Sequence, residues 1–266
     1  MVKGRPFLEI LASSLHGDYK FPILELLVFL FLLSSFVFAS LGFGSLEAPE
    51  EYFVYHITGS LMGMPLFIFA MLLFRNIASG IGNDLEKGTM QTILAYPLKR
   101  RSILTAKLIS AFGVATLVFL GTQFSALWIL APDMVGPHLQ VVLLTYVEYL
   151  SLPLLVASLT LLLTLLLKKG TLGVVFGLMM FFLFGILSSL VSLVAYATNS
   201  VLPLQLYSVV APEVATDFYY GSLLPMGHVF WAPSFSEVLL YTVAGYGITA
   251  LILFLSYLYF SRRLDT

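Results

Sequence analysis

Six long apolar runs, at roughly 22–41, 53–74, 108–130, 139–167, 171–197 and 237–260, alternate along this chain with more polar segments. A helix of about 20 apolar residues crosses a hydrocarbon core of about 30 Å, and every run reaches that length. The runs are continuously apolar rather than alternating, which predicts helices and not the strands of a barrel. The expected fold is an all-α membrane protein with six transmembrane helices. Residues 1–266 read as a single transmembrane domain, because no block between the runs is large enough for a core of its own.

The polar segments differ in charge. Lys3, Arg5 and Lys20 precede the first run, and Arg75, Lys87, Lys99, Arg100, Arg101 and Lys107 lie between the second and third. Lys168 and Lys169 separate the fourth and fifth, and Arg262 and Arg263 follow the sixth. The other three connections contain no Lys or Arg. Basic residues near span ends are retained in the cytoplasm. The alternation therefore supports the span count, puts both termini in the cytoplasm and points to a multi-pass protein of the cell (plasma) membrane.

Composition mainly excludes. The chain is 59% hydrophobic and 10% charged, against about 25% charged in soluble domains. With a net charge of −1 and no basic face beyond the cytoplasmic rim, nucleic acid is not an expected partner; membrane lipid is. Cys is absent, which excludes disulfides, thiolate catalysis and Cys-based metal sites. The first run is too long for the apolar region of about 7–15 residues in a signal peptide, and no small-x-small site closes it.

Ahead of that run, Phe7, Leu8, Ile10, Leu11 and Leu15 recur at helical spacing among polar residues. They predict an N-terminal amphipathic helix on the inner leaflet; an ordinary disordered tail is the alternative. Two connections are long. The outer one, 198–236, carries Pro203, Pro212, Pro225 and Pro233 yet stays apolar and aromatic. Short helices are expected in it, around 204–222, resting on or dipping into the outer leaflet. The cytoplasmic one, 75–107, is the most polar stretch.

In that stretch Asp84 and Glu86 precede a turn at Gly88-Thr89. Met90, Ile93 and Leu94 follow at helical spacing, Pro97 stops the helix, and Lys99-Arg100-Arg101 begins the third span. A short helix with one apolar face under the membrane cannot bury that face alone and suits docking of a soluble partner. The order of acidic residues, Gly-Thr, apolar residues, Pro, Arg and then Lys107 resembles the signature loop of the type-2 ATP-binding-cassette (ABC) permease family. That loop lies between the second and third of six spans. Tyr259-Phe260-Ser261-Arg262-Arg263-Leu264-Asp265 is similar to the family's aromatic-Arg-Asp ending. Ala106 departs from the pattern, standing where the family often has Gly.

The resemblance implies a permease subunit of an ATP-driven exporter. A second permease copy would complete a homodimer, and two copies of an ABC ATPase subunit would energise it. The loop would act as a coupling helix seated on the ATPase. Asp84, Glu86, Gly88, Thr89, Pro97, Arg100 and Lys107 would transmit the stroke. ATP and Mg would be held by the partner. This chain lacks a Gly-x-x-x-x-Gly-Lys-Ser/Thr loop, so it is expected to bind no cofactor and to be no enzyme by itself. Taken singly, Asp84 and Glu86 also fit solvated charges or ion pairs with Arg100 and Lys107, and Arg100 fits a headgroup anchor.

Within the spans, Glu148 lies between Tyr146 and Tyr149 in the fourth run. A carboxylate at such depth is costly and suggests a translocation path; a site near the headgroups, or a protonated acid bonded to a tyrosine, is the alternative. Gly59 and Gly63 in span two, and Gly173 and Gly177 in span five, have the spacing that lets helices approach closely. They are expected to serve helix packing or, for the second pair by resemblance, a dimer seam. Pro65 and Pro153 are expected to kink their helices. His56, His138 and His228 with Met62, Met64, Met134 and Met226 lie toward the outer side, but their spacing argues against a metal site. Two other function classes compete. An intramembrane enzyme lacks its motifs here: neither Gly-x-Ser-Gly nor His-Glu-x-x-His occurs. A secondary transporter would need repeats and several deep charges.

Overall fold

The computed structural model describes residues 6–42, 48–95, 100–224 and 230–262. All regular structure in them is helical. In chain order the elements are α1 (Pro6–Tyr19), α2 (Ile23–Gly42) and α3 (Glu50–Ile77), then a π-helical turn at Ala78–Gly82 and α4 (Asn83–Glu86). Next come α5 (Thr89–Ala95), α6 (Arg100–Leu108), a second π-helical turn at Ile109–Val114, α7 (Ala115–Leu130) and α8 (Pro132–Val135). The chain closes with α9 (Leu139–Leu167), α10 (Gly170–Thr198), α11 (Leu202–Ser208), α12 (Glu213–Gly221) and α13 (Phe235–Arg262).

Five helical stretches are long and apolar enough to cross a membrane: Glu50–Glu86, Arg100–Leu130, Leu139–Leu167, Gly170–Thr198 and Phe235–Arg262. A sixth crossing follows if Phe7–Tyr19 and Ile23–Val37, bent by 56° to each other, form one broken span. The helices through 50–86 and 100–130 outrun their apolar cores. Asn83-Asp84-Leu85-Glu86 and Arg100-Arg101-Ser102 end the hydropathy but not the helical backbone. Both lie at the end of the bundle that carries Lys and Arg.

α9 is the central helix. Its apolar window is 61% buried, against 6% for α10, which lies at the periphery. The buried face of α9 is rich in hydroxyls: Thr145, Ser151, Ser158, Thr160 and Thr164. Small side chains let helices pack closely. Thr145 and Thr160 satisfy their hydroxyls by donating to the carbonyls of Val141 and Val156, four residues back. α3 and α9 continue through Pro65 and Pro153. Lys168 and Asn199, both with left-handed backbone (φ 55° and 48°), terminate α9 and α10.

α1 crosses the basic end and is tied to the protein by its last turn. The Tyr19 hydroxyl donates to the Ser110 carbonyl at 2.9 Å, and Asn76 Nδ2 donates to the Tyr19 hydroxyl at 2.9 Å. Arg75 Nη1 donates to the Asp18 carbonyl at 3.0 Å. At the opposite end, α11 and α12 fold back on the bundle. Leu204, Tyr207, Ala211, Val214 and Ala215 form an apolar cluster there with Ala195, Trp231 and Val238. That segment buries one apolar face on its own chain, while Leu202 and Leu206 stay exposed.

Candidate functional site

The residues singled out from the sequence fall at two ends of the bundle. At the basic end, the carboxylate of one of them, Asp84, gathers two others. Asp84 Oδ2 lies 2.6 Å from Lys107 Nζ, while Asp84 Oδ1 accepts from Thr89 Oγ1 at 2.8 Å. Lys107 also donates to the carbonyl of Gly80, within the first π-helical turn. Wide turns of this kind recur at functional sites. The carboxylate therefore joins the end of span two, the first residue of α5 and the base of span three. The Lys107 side chain is 9% exposed and that of Asp84 26%. This places the pair between a surface bridge, worth about 0–1 kcal/mol, and a buried one, whose loss costs about 3–5 kcal/mol.

Gly88 makes the turn between α4 and α5 with φ +74°, a backbone that favours glycine. Glu86 is exposed, and its Oε2 accepts from the Gly170 N–H at 3.3 Å, linking the same elbow to the start of α10. Arg100 is exposed and opens α6. Pro97 lies outside the described residues. The apolar face of α5 behaves differently from the sequence expectation. Met90 is fully buried, and Leu94 packs on the main core. The chain itself covers Met90 fully and Leu94 in part, and Ile93 is half-buried; Gln91 and Thr92 are the exposed side of the helix.

Beneath the elbow lies a residue that the sequence reading passed over. Asp18 is 5% exposed and accepts from Ser110 Oγ at 2.6 Å, in the second π-helical turn. Burial raises its carboxyl above the ordinary value; the Ser110 bond and the charges of Lys107 and Arg75 oppose that rise. Both wide turns thus meet one ionic cluster.

The glycine pairs have unequal settings. A Cβ on Gly173 would fall 2.1 Å from Thr164 Oγ1, and one on Gly177 2.6 Å from Thr160 Oγ1. These two positions hold α10 against α9 within the chain. Gly59 leaves room for the Tyr149 hydroxyl, 2.9 Å from where its Cβ would be. Gly63 is exposed.

Toward the other end, Glu148 is fully buried. It accepts from Thr242 Oγ1 of α13, not from either neighbouring tyrosine. Its Oε2 has no hydrogen-bond partner among the described residues, and neither has Glu213 Oε2. Glu213 and Asp217 lie one helical turn apart on α12; the sequence reading expected short helices around 204–222 but singled out neither acid. Their signal was present: two acids four residues apart, followed by Tyr219 and Tyr220, in a segment without Lys or Arg. Burial raises the carboxyl of Glu213, and the charges of Asp217 and Glu148 push it the same way. His138 Nε2 lies 3.1 Å from Glu50 Oε2.

The family model described as ABC-2 family transporter protein matches residues 56–263, from early in α3 through α13. That range contains Asp84, Thr89 and Lys107. No curated protein matches the chain.

Proposed function

The chain belongs to the ABC-2 family of transporter proteins and is a multi-pass membrane permease of an ABC transporter. From that premise we propose that its α4–α5 elbow is the joint through which separate ATPase subunits drive it. The observation that carries this reading is the Asp84 carboxylate, held at once by Thr89 on α5 and by Lys107 on span three. A push on α5 reaches span three through that carboxylate, the wide turn through Lys107 and Gly80, and span five through Glu86 and Gly170. The exposed side of α5, with Glu86 and Lys87 beside it, is the surface offered to the ATPase. ATP and Mg are held by that partner.

The functional unit is a homodimer of this permease on two ATPase subunits, working as an exporter, with both termini and the elbow in the cytoplasm. Positive charge confined to one end of the bundle supports that orientation. The test is co-purification of the tagged chain with a co-expressed ABC ATPase subunit, comparing wild type with Glu86→Arg. Loss of the ATPase from the variant is expected. Undiminished assembly and ATP hydrolysis would show that Glu86 takes no part in docking.

A further inference from the structure

A cavity of about 390 Å³ opens at the end of the bundle away from Lys and Arg, lined by Tyr52, Tyr55, His56 and Ser60 of α3, Tyr149 of α9 and Asp217 of α12. Its wall is aromatic. Tyr52 and His56 stack with ring centroids 6.0 Å apart and planes 6° from parallel. Tyr55 is braced from behind by Tyr220, at 4.4 Å and 18°. Among the described residues Asp217 is its one carboxylate. Tyr55 and Tyr149 both donate to Oδ1 of Asp217. Its Oδ2 accepts no hydrogen bond from the described residues, and Asp217 is an exposed residue on the cavity.

The charge balance is the informative part. No Lys or Arg occurs between residues 21 and 74, 108 and 167, or 170 and 261. Those ranges supply every wall of the cavity. Asp217 therefore has no Lys or Arg as a built-in partner. A carboxylate fixed by two phenols, open on one oxygen and facing electron-rich rings, matches a positively charged ligand. The size argues against a bare metal ion, and among the described residues no group of three or more His, Cys, Asp or Glu converges as metal ligands would. Ligand pockets for small organic groups start at about 300 Å³.

We propose that this cavity binds an organic ammonium group, its charge against Asp217 Oδ2 and its methylene or methyl hydrogens against Tyr52 and Tyr149. The group comes either from a soluble amine or from the headgroup of an amino-phospholipid. The inference needs only the cavity and holds whether or not an ATPase docks on α5.

The test uses the full chain in nanodiscs of pure phosphatidylglycerol, with radiolabelled choline as the probe. Saturable choline binding is expected. Asp217→Asn should weaken it about tenfold or more, Asp217→Glu should retain most of it, and Glu237→Gln, an acid at the same end outside the cavity, should leave it unchanged. Thermal unfolding without choline checks that each variant is folded. If Asp217→Asn does not fold, Tyr52→Leu takes its place, with the same weakening expected. A second set of discs containing phosphatidylethanolamine separates the sources. Lower choline binding there identifies the lipid headgroup as occupant, and unchanged binding identifies a soluble amine. No saturable binding in phosphatidylglycerol discs, or wild-type binding by a folded Asp217→Asn or Tyr52→Leu, overturns the proposal.

Discussion

Gly82 and Gly170 meet backbone to backbone: a Cβ on Gly82 would fall 2.3 Å from the Gly170 Cα. The last residue of the first wide turn thus presses on the first residue of span five, beside the Glu86–Gly170 hydrogen bond. Backbone atoms cannot rotate aside as a side chain can, so overpacking here has no easy relief. Gly82→Ala is expected to cost about 1–3 kcal/mol, read from unfolding in detergent. Gly121→Ala, where nothing lies within 4 Å of the added Cβ, should be neutral or slightly stabilising.

The Asp84–Lys107 contact makes a second prediction. Each partner leaves the other's charge partly buried, so Asp84→Ala and Lys107→Ala should each destabilise the chain. Their combination should cost less than the sum, with a coupling energy of about 1 kcal/mol or more. Strict additivity in a double-mutant cycle would remove the ion pair from the account. Thr89→Val, which loses only a neutral donor to Asp84, should cost less than either, on the order of 1 kcal/mol.

Asp18 gives the pH dependence. Its folded-state pKa lies above the ordinary value of 3.8 because burial disfavours the charged form. The folded chain therefore holds that proton more tightly than the unfolded chain. Stability should fall as pH rises from about 3.8 through the raised value, and the deficit persists above it. Asp18→Asn keeps an acceptor for Ser110 and carries no charge. It should flatten that part of the profile and stabilise the chain at neutral pH. A wild-type profile that rises through the same window would contradict the burial argument.

Packing and docking separate on α5. Met90 is fully buried, so Met90→Ala should cost about 2–5 kcal/mol. Gln91→Arg, on the exposed side, should leave the unfolding transition in place while weakening co-purification of the ATPase subunit. Equal effects of the two substitutions on unfolding would show that α5 does not pack as described.

Much of this architecture was readable from hydropathy. Span-length apolar runs have no alternative to helix in lipid, and the Lys and Arg pattern sorts their ends. The apolar helix at Thr89–Ala95 and the Gly88 turn were legible for the same local reasons. The extent of spans two and three was not, because polar residues stop a hydropathy run without breaking a helix. Neither wide turn was legible: their register is set by Lys107 reaching Gly80 and by Tyr19 and Asp18 reaching Ser110, contacts distant in sequence. Periodicity marked the apolar face of α5 but not what covers it, and Met90 turned out to face its own chain. Short helices were expected around 204–222, but Asp217 was overlooked because its partners, Tyr55 and Tyr149, are distant in sequence, although its tyrosines and missing counter-charge pointed toward a site.

The most direct test of the elbow as a cytoplasmic coupling joint exploits the absence of Cys. A single Thr92→Cys on the exposed side of α5 is labelled with a membrane-impermeant maleimide, in intact cells and in inverted vesicles, with and without rebound ATPase subunit. The account predicts no labelling in intact cells, labelling in stripped inverted vesicles, and protection when the ATPase is restored. Labelling in intact cells, or labelling in inverted vesicles that the ATPase does not reduce, would contradict it.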